Sequence, residues 1–466
     1  MHSNQLHQIA QIKICKKSLL NKDSDISLNQ ILHQESCQRI FYECREFRDR
    51  VYNPLKTVFT FIKKVLNPDK SCKKAVAEVV TESLSINNIE ISSNTGPYCK
   101  ARQRLPAQAV HELVQVTGKS SIAKTPSRWK PYGRELKVCD GSHAKMADTS
   151  ENQAIFPQHK NQNKGAGFPL MRFLVVMSLT VGTIVDYAAG AYKGKGTGES
   201  SLLRRIFNSI EPNDIVLGDR YFPNFFLMAD LKRIGADGIF KAQGQRCYDF
   251  RGGKRLGKKD HIVLWKKPNR PDWMSQEEYN GYPEEIEIRE FKVNGAVYVT
   301  TFLDDKKYHR KELADIYKRR WEVELNLKSI KSIMNMDMLS CKTPDMVMKE
   351  LGIHLLAYNF IRIMMAEACI KNGGVPWKIS FKGAIQLINA FMPYFLNSTI
   401  EKNNMMYARM LVLIVKNVTG NRPNRVEPRL LKQRQKPFPV LKRPRAIEKE
   451  KLMRKVERMI LKNAVA

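Results

Sequence analysis

Between Glu135 and Gly244 the chain alternates short apolar runs with helix-forming segments, and nothing else in the sequence restricts the fold as strongly. Apolar runs of this length bounded by turn residues read as buried strands, and their alternation with helical patterns predicts a mixed α/β core. ELKVCDGS reads as a strand ending at Asp140, and LMRFLVVMSL and GTIVDYAAG as two more joined near Gly182. NDIVLGDRYF is a fourth strand, whose Ile215, Val216 and Leu217 deliver Asp219 at its carboxyl end. The glycine-rich GKGTGESS leads into a helix carrying Leu202, Leu203, Ile206 and Ile210, with Thr197 or Ser200 as its cap. A second helix, NFFLMADLKRIG, is closed by Gly235 before a strand around GIFKAQG.

This core, residues 106–245 in its first part, is flanked by segments of different texture. Residues 1–105 read as a helical amino-terminal domain and linker ending in SSNTGPYCKARQRLP, either a DNA-reading module or a packing subdomain. Residues 246–310 read as a β-rich insertion. DHIVLWKK alternates like a strand, and EIEIREFKV and AVYVTTFL form a hairpin across Asn294-Gly295, a pair suited to a type I′ turn. Residues 311–400 form a second part of the core, with a helix from Lys311 to Ile333 and an apolar helical region at 350–396 suited to core packing or a subunit contact. Residues 401–466 are basic. From Asn421 onward 15 Lys and Arg face 4 Glu, a net of +11, with prolines at 423, 428, 437, 439 and 444, so an extended cationic stretch is expected before Arg445 and a helix after it. Such a tail holds a phosphate backbone without reading bases, or else is a basic tail with no specific contact.

Charge narrows the function. The 79 Lys and Arg against 46 Asp and Glu give +33, far beyond the needs of solubility, which points to a polyanion and to nucleic acid rather than membrane. The apolar run Phe173–Val185 is interrupted by Ser178, Thr180, Gly182 and Thr183 and is shorter than the about 20 residues a membrane helix needs. The opening MHSNQLHQIA lacks the pattern of a secretion signal. Nine scattered cysteines without a C-x-x-C pair argue against a zinc site or disulfide framework and suit reduced thiols in a cytoplasm.

Asp140, Asp219 and Glu324 lie in three separate segments, and Glu324 belongs to a set with Tyr317, Arg320 and Lys331 spaced Y-x2-R-x3-E-x6-K. On one helix, residues 317, 320, 324, 328 and 331 would share a face. That stripe is either a solvated surface or part of a site. Two aspartates at adjacent strand ends and one helical glutamate make the oxygen-rich donor set that Mg2+ or Mn2+ prefers, and two such ions support in-line phosphoryl displacement. Arg320 suits a fork on two phosphate oxygens, Lys331 a point charge, and Tyr317 a single hydrogen bond. Trp321 suits stacking on an exposed base or burial in the core; Arg220 suits a phosphate or an ion pair with a core carboxylate. GKGTGES lacks the G-x-x-x-x-G-K-[ST] pattern, so no nucleotide is expected.

On VCDGSHAKMADTSENQAIFPQ, GKGTGES, LGDRYF and YKRRWEVELNLKSIK, with the basic PRLLKQRQKPFPVLKRPR tail, the chain resembles the DDE transposases of bacterial insertion sequences, in the branch marked by the Y-R-E-K signature. The resemblance implies a ribonuclease-H-like mixed sheet with flanking helices, interrupted by the β-rich insertion. It implies cut-and-paste transposition, with Asp140, Asp219 and Glu324 as catalytic acids binding two Mg2+ or Mn2+ ions and with Tyr317, Arg320 and Lys331 on the DNA. Terminal inverted repeats and target DNA are the implied partners, bound by a homodimer or larger synaptic complex in a bacterial cytoplasm, at the nucleoid. An inactive DNA-binding relic and a generic metal nuclease of the same fold are the alternatives.

Overall fold

The computed structural model describes residues 31–32, 34–44, 51–244, 248–395, 399–420 and 439–465. Most of the cationic stretch expected before Arg445, including Pro423, Pro428 and Pro437, lies outside the described residues, as do Cys15 and Cys247.

Among the described residues, the α-helices α1 (Glu35–Glu43), α2 (Pro54–Leu66), α3 (Cys72–Asn87), α4 (Gly96–Arg104) and α5 (Ala107–Ala123) precede the sheet. Local chemistry starts two of them, since the Asn53 and Ser71 side chains accept the Lys56 and Lys74 backbone N–H groups as caps. Then follow β1 (Leu136–Met146), α6 (Ser150–Ile155), β2 (Leu170–Ser178), β3 (Ile184–Ala191), α7 (Glu199–Arg205), β4 (Ile215–Gly218), α8 (Phe225–Ile234) and β5 (Asp237–Lys241). The next segment supplies β6 (Lys254–Gly257), β7 (Asp260–Lys266), α9 (Gln276–Asn280), β8 (Glu285–Val293) and β9 (Ala296–Thr300). After these come α10 (Arg310–Lys318), α11 (Trp321–Lys328), β10 (Met338–Leu339), α12 (Pro344–Asn372), α13 (Phe381–Phe395), α14 (Ile400–Lys416) and α15 (Arg445–Val465).

The strands join in one mixed sheet ordered β3-β2-β1-β4-β5-β9-β8-β7-β6, with β10 beside the far end of β1. β1, β4 and β5 run parallel; β2 is antiparallel to β1 and β3 antiparallel to β2, so β2 alone of these five strands points the other way. This is the expected α/β class: a large mixed sheet with flanking helices. The strands at 254–300 do not form a separate body. β9 pairs antiparallel with β5, so they extend the same sheet. Asn294 and Gly295 at the β8–β9 turn both have positive φ, 49° and 79°, as a type I′ turn requires.

Alternate side chains face opposite layers. Val138, Val175, Ile215 and Leu217 pack under α5 and α12, whereas Cys139, Leu174, Val176 and Val216 pack with Leu202 and Leu203 of α7 and Phe226 and Met228 of α8. α12 is long and apolar enough to cross a membrane, with mean hydropathy 1.3, yet 89% of that window is buried within the protein. It is the core helix of the first layer. Two glycines let it and α5 come close to β3: a Cβ on Gly118 would lie 2.1 Å from the Ile184 carbonyl oxygen, and one on Gly352 would lie 2.7 Å from the Tyr187 hydroxyl. Asn359 of α12 seals the junction by accepting the Ile184 N–H and donating to the Ile184 carbonyl.

Three local expectations need correction. β1 does not stop at Asp140 but continues to Met146, because GSHAK pairs residue for residue with β2 as far as Lys145 opposite Leu170. Neither Thr197 nor Ser200 caps α7; Gly198 occupies that position, and the Thr197 hydroxyl bonds the Gly194 carbonyl instead. The helix expected from Lys311 to Ile333 is broken. Arg319 and Arg320 donate to the carbonyls of Ile316 and Tyr317, a tightened three-residue turn, and Ser329–Ile333 opens into a π turn.

Candidate active site

β1 pairs in parallel with β4 only as far as Val138 opposite Leu217, and with β10 only from Lys145 opposite Met338. The stretch between them leaves one edge of β1 open, and Asp140 and Gly141 lie at the start of this window. The β1–β4 register, carried two residues past its last pair, puts Asp140 level with Asp219, and the Asp219 charge acts on the Asp140 carboxyl. Sequence pattern contributes to this, since Val138-Cys139 and Ile215–Leu217 are apolar runs that lead to the two aspartates.

The two aspartates differ in what holds them. Asp140 accepts the Gly141 backbone N–H at 2.9 Å. Burial pushes its carboxyl up to about 6; the Gly141 N–H and the Arg320 charge oppose this, and the Glu199 and Asp219 charges add to it. Asp219 follows β4 and accepts the Tyr221 backbone N–H at 2.7 Å, so it also sets the turn that ends the strand.

Glu324 comes from α11. Its carboxylate accepts Arg320 Nη2 at 2.6 Å, and Arg320 Nη1 stands 4.0 Å from Asp140. A guanidinium thus lies between two of the acidic candidates. The tightened turn at Arg319–Arg320 keeps Tyr317, Arg320 and Glu324 together despite the helix break, and the Tyr317 hydroxyl donates to the Gly218 carbonyl at 3.2 Å, next to Asp219. Burial raises the Tyr317 pKa, with Arg320 opposing. Lys331, in the π turn, pairs with Asp337 at 3.4 Å. Its charge reaches His143, whose pKa is lowered by burial first and by Lys331 next.

The remaining candidates are on the surface. Trp321 is 57% exposed at the start of α11, so the buried alternative for it does not hold. Arg220 is exposed and makes no ion pair among the described residues, and Tyr221 beside it is 74% exposed. Together they form an open aromatic and cationic rim next to Asp219.

One acidic neighbour escaped the sequence reading. Glu199, the first residue of α7, lies against Gly141: a Cβ built there would be 2.4 Å from Glu199 Oε1. Burial raises the Glu199 pKa, the Asp219 charge adds to this, and Arg172 opposes it. Its position in GKGTGES was visible, but its approach to β1 depends on the β3–α7 connection and leaves no local signal.

For a divalent cation the donor chemistry fits. Asp140, Asp219 and Glu324 offer hard oxygens, and a cationic group already bridges Asp140 and Glu324 in the form of Arg320. Among the described residues no group of three or more His, Cys, Asp or Glu side chains stands close enough together to hold a metal ion as it is.

Residues 131–360 match the family described as Transposase DDE domain. The chain is similar to the transposase InsG for insertion sequence element IS4 of Escherichia coli strain K12, 28% identical over 275 residues, which cover 58% of this chain and 60% of that protein. The chain thus spans about three fifths of that relative's length. It is also similar to the transposase for insertion sequence element IS421 of Escherichia coli, 31% identical over 72 residues covering 16% of this chain and 19% of that protein. Among solved structures, a piggyBac transposase synaptic complex with hairpin DNA aligns over 89% of this chain and 88% of that one, with a TM-score of 0.41 and 10% identity, a likeness too remote to transfer residue roles.

Proposed function

We propose that this chain, which carries a DDE transposase domain of the insertion-sequence type at residues 131–360, catalyses metal-dependent cut-and-paste transposition at the ends of its own element. The observation that supports this most is Arg320 standing between Asp140 and Glu324, with the Asp219 charge acting on Asp140, at a sheet edge left open between β4 and β10. Three segments far apart in sequence supply these groups, and a solvated charge stripe on a single helix does not explain the convergence.

Asp140, Asp219 and Glu324 are the residues that would hold two Mg2+ or Mn2+ ions. When bound, such ions supply the positive charge that favours a water or 3′ hydroxyl as nucleophile and stabilises the leaving oxygen. Arg320 then turns from Glu324 to the DNA phosphate, where its fork matches two oxygens. Tyr317, the half-buried Lys331 and the exposed Trp321 and Arg220 orient the strand at the site, Trp321 by stacking on a base drawn out of the duplex. The +33 net charge supplies the sequence-independent attraction to DNA. Terminal inverted repeats and target DNA are the substrates, engaged by a homodimer or larger synaptic assembly in the bacterial cytoplasm, at the nucleoid. Residues 1–105 and 401–466 flank the core as DNA-binding regions, and residues 246–310 interrupt it.

Incubating the protein with DNA bearing the ends of its own element, with and without Mg2+, tests this reading. Nicked and joined products that require Mg2+ support it. Binding without nicking leaves only a DNA-binding relic, and nicking without end preference or joining leaves a generic nuclease.

A further inference from the structure

His143 of β1 and Arg172 of β2 stand opposite each other in the strand ladder, so their side chains share one face of the sheet. It is the face toward α7, since a Cβ on Gly190, next in line on β3, would come 3.8 Å from Leu202. Tyr192, just past β3, gathers the neighbouring groups. Its ring centroid lies 6.0 Å from that of His143 and 5.6 Å from that of His159, and the Arg172 guanidinium stands over it at 4.7 Å. A bond to the Thr197 carbonyl fixes Arg172 further. Lys145, two residues beyond His143 on the same face, is exposed, as is Lys160 beside His159. Among the described residues none of Lys145, Lys160 and Arg172 makes an ion pair.

The cluster is cationic throughout. Burial lowers the His143 pKa, and the Lys331, Lys145 and Arg172 charges lower it further, with Asp337 opposing. Asp337 is itself taken by Lys331, and the Glu199 charge meets Arg172 without closing an ion pair. Basic side chains on a surface are ordinarily solvated separately, and a pair between two exposed groups is worth at most about 1 kcal/mol. Separate solvation does not account for a guanidinium and two imidazoles ordered around one ring, in line with the proposed site. From Asp140 to Lys145, β1 advances about 17 Å, the axial rise of about five base pairs. Arg forks, imidazole N–H groups and Lys point charges are the donors that phosphate oxygens accept, and a polyanionic backbone relieves the repulsion among them.

We propose that His143, Lys145 and Arg172, with Tyr192, His159 and Lys160 beside them, form a second DNA contact, which holds the phosphate backbone within about five base pairs of the cut. This rests on the DNA-cleaving reading above. Arg172 and His143 donate to phosphate oxygens, Lys145 and Lys160 supply point charges, and the Tyr192 ring keeps Arg172 and His143 in place. The contact positions the duplex and reads no bases.

Fluorescence anisotropy of the full-length protein on two duplexes, one carrying the element's end and one of scrambled sequence, tests this across a salt series. Lys145→Gln and Arg172→Gln should each weaken binding about five- to tenfold at roughly 0.1 M salt and lower the slope of log K against log salt by about 1, equally on both duplexes. Lys382→Gln makes the same charge change at an exposed position of α13, in the layer of α12, and should leave the slope as it is. A neutral methylphosphonate, scanned through the phosphates within about five base pairs of the cut, should weaken the wild type at one position where it costs Lys145→Gln nothing further. Unchanged slopes in Lys145→Gln and Arg172→Gln, or an equal drop in Lys382→Gln, would overturn the contact and leave the DNA reading intact. If Arg172→Gln does not fold, Lys145→Gln decides alone. A flat salt dependence in the wild type would overturn both.

Discussion

Arg320 and Glu324, one helical turn apart, share a 2.6 Å ion pair, and the same guanidinium stands 4.0 Å from Asp140. An internal cation therefore satisfies part of the site before any ligand arrives. Removing it should act in two directions. Arg320→Ala should strengthen Mn2+ binding to the DNA-free protein, by a few-fold at the partly exposed Glu324, while weakening engagement of the cleaved DNA end by about tenfold. Calorimetry and footprinting would measure the two, and a loss of metal affinity would show that Arg320 does not compete for the carboxylates.

Glu324→Ala should abolish Mg2+-dependent nicking, a drop of at least a thousandfold on the order seen when a charge-stabilising group is lost from a reaction centre, while end binding stays within about threefold. Gel-shift and nicking assays on the same preparation would measure both. A parallel loss of binding and cleavage would count against Glu324 as a metal ligand.

The buried pair of Lys64 and Glu350 at 2.6 Å, joined by Ser340 and the Cys341 N–H, ties α2 to α12 beneath the sheet. Breaking it by Lys64→Ala leaves Glu350 buried without its counter-charge and should cost about 3–5 kcal/mol in denaturant unfolding. A change below 1 kcal/mol would mean that water enters the site.

Next to that pair, His354 is fully buried and neither ring nitrogen has a hydrogen-bond partner among the described residues. Burial holds its pKa down at about 3, below the ordinary 6.5, although Glu350 pulls it upward. Burial alone would raise Glu350, but the Lys64 charge and hydrogen bonds bring it down to about 2. Both folded values lie below the unfolded ones, so the unfolded chain takes up more protons as pH falls. Stability should be full above about pH 6.5, decline from there toward pH 3 as unfolded His354 gains its proton, and fall further toward pH 2 with Glu350. Melting curves across that range would show it, and His354→Leu should flatten the upper part.

Gly118→Ala would usually stabilise a helix by about 1 kcal/mol. Here the added carbon meets the Ile184 backbone at 2.1 Å, so the sign should reverse, to a loss of about 1–3 kcal/mol. An unchanged melting temperature would mean that α5 and β3 separate easily.

Much of this was visible in the sequence wherever the cause was local. The apolar Ile215–Leu217 run placed Asp219 after β4, and Asn294-Gly295 gave the hairpin because few other pairs accept two positive φ values. Asp140 was expected at the end of its strand but lies within it, since the polar second half of β1 is held by pairing with β2 and not by its own pattern. The break at Arg319–Arg320 was hidden by residues that favour helix, and the closeness of Glu199 to Gly141 by the 57 intervening positions. Distances between segments are set by topology, which a composition of runs and turns expresses only in part.

The pairing of β9 with β5 has a mechanical consequence. Because strand pairing continues from β3 to β6, the segment around residues 254–300 is cantilevered from the strands that carry Asp140 and lead to Asp219. Whatever it touches at its tip keeps a fixed offset from Asp140 and Asp219, like a ruler's far mark.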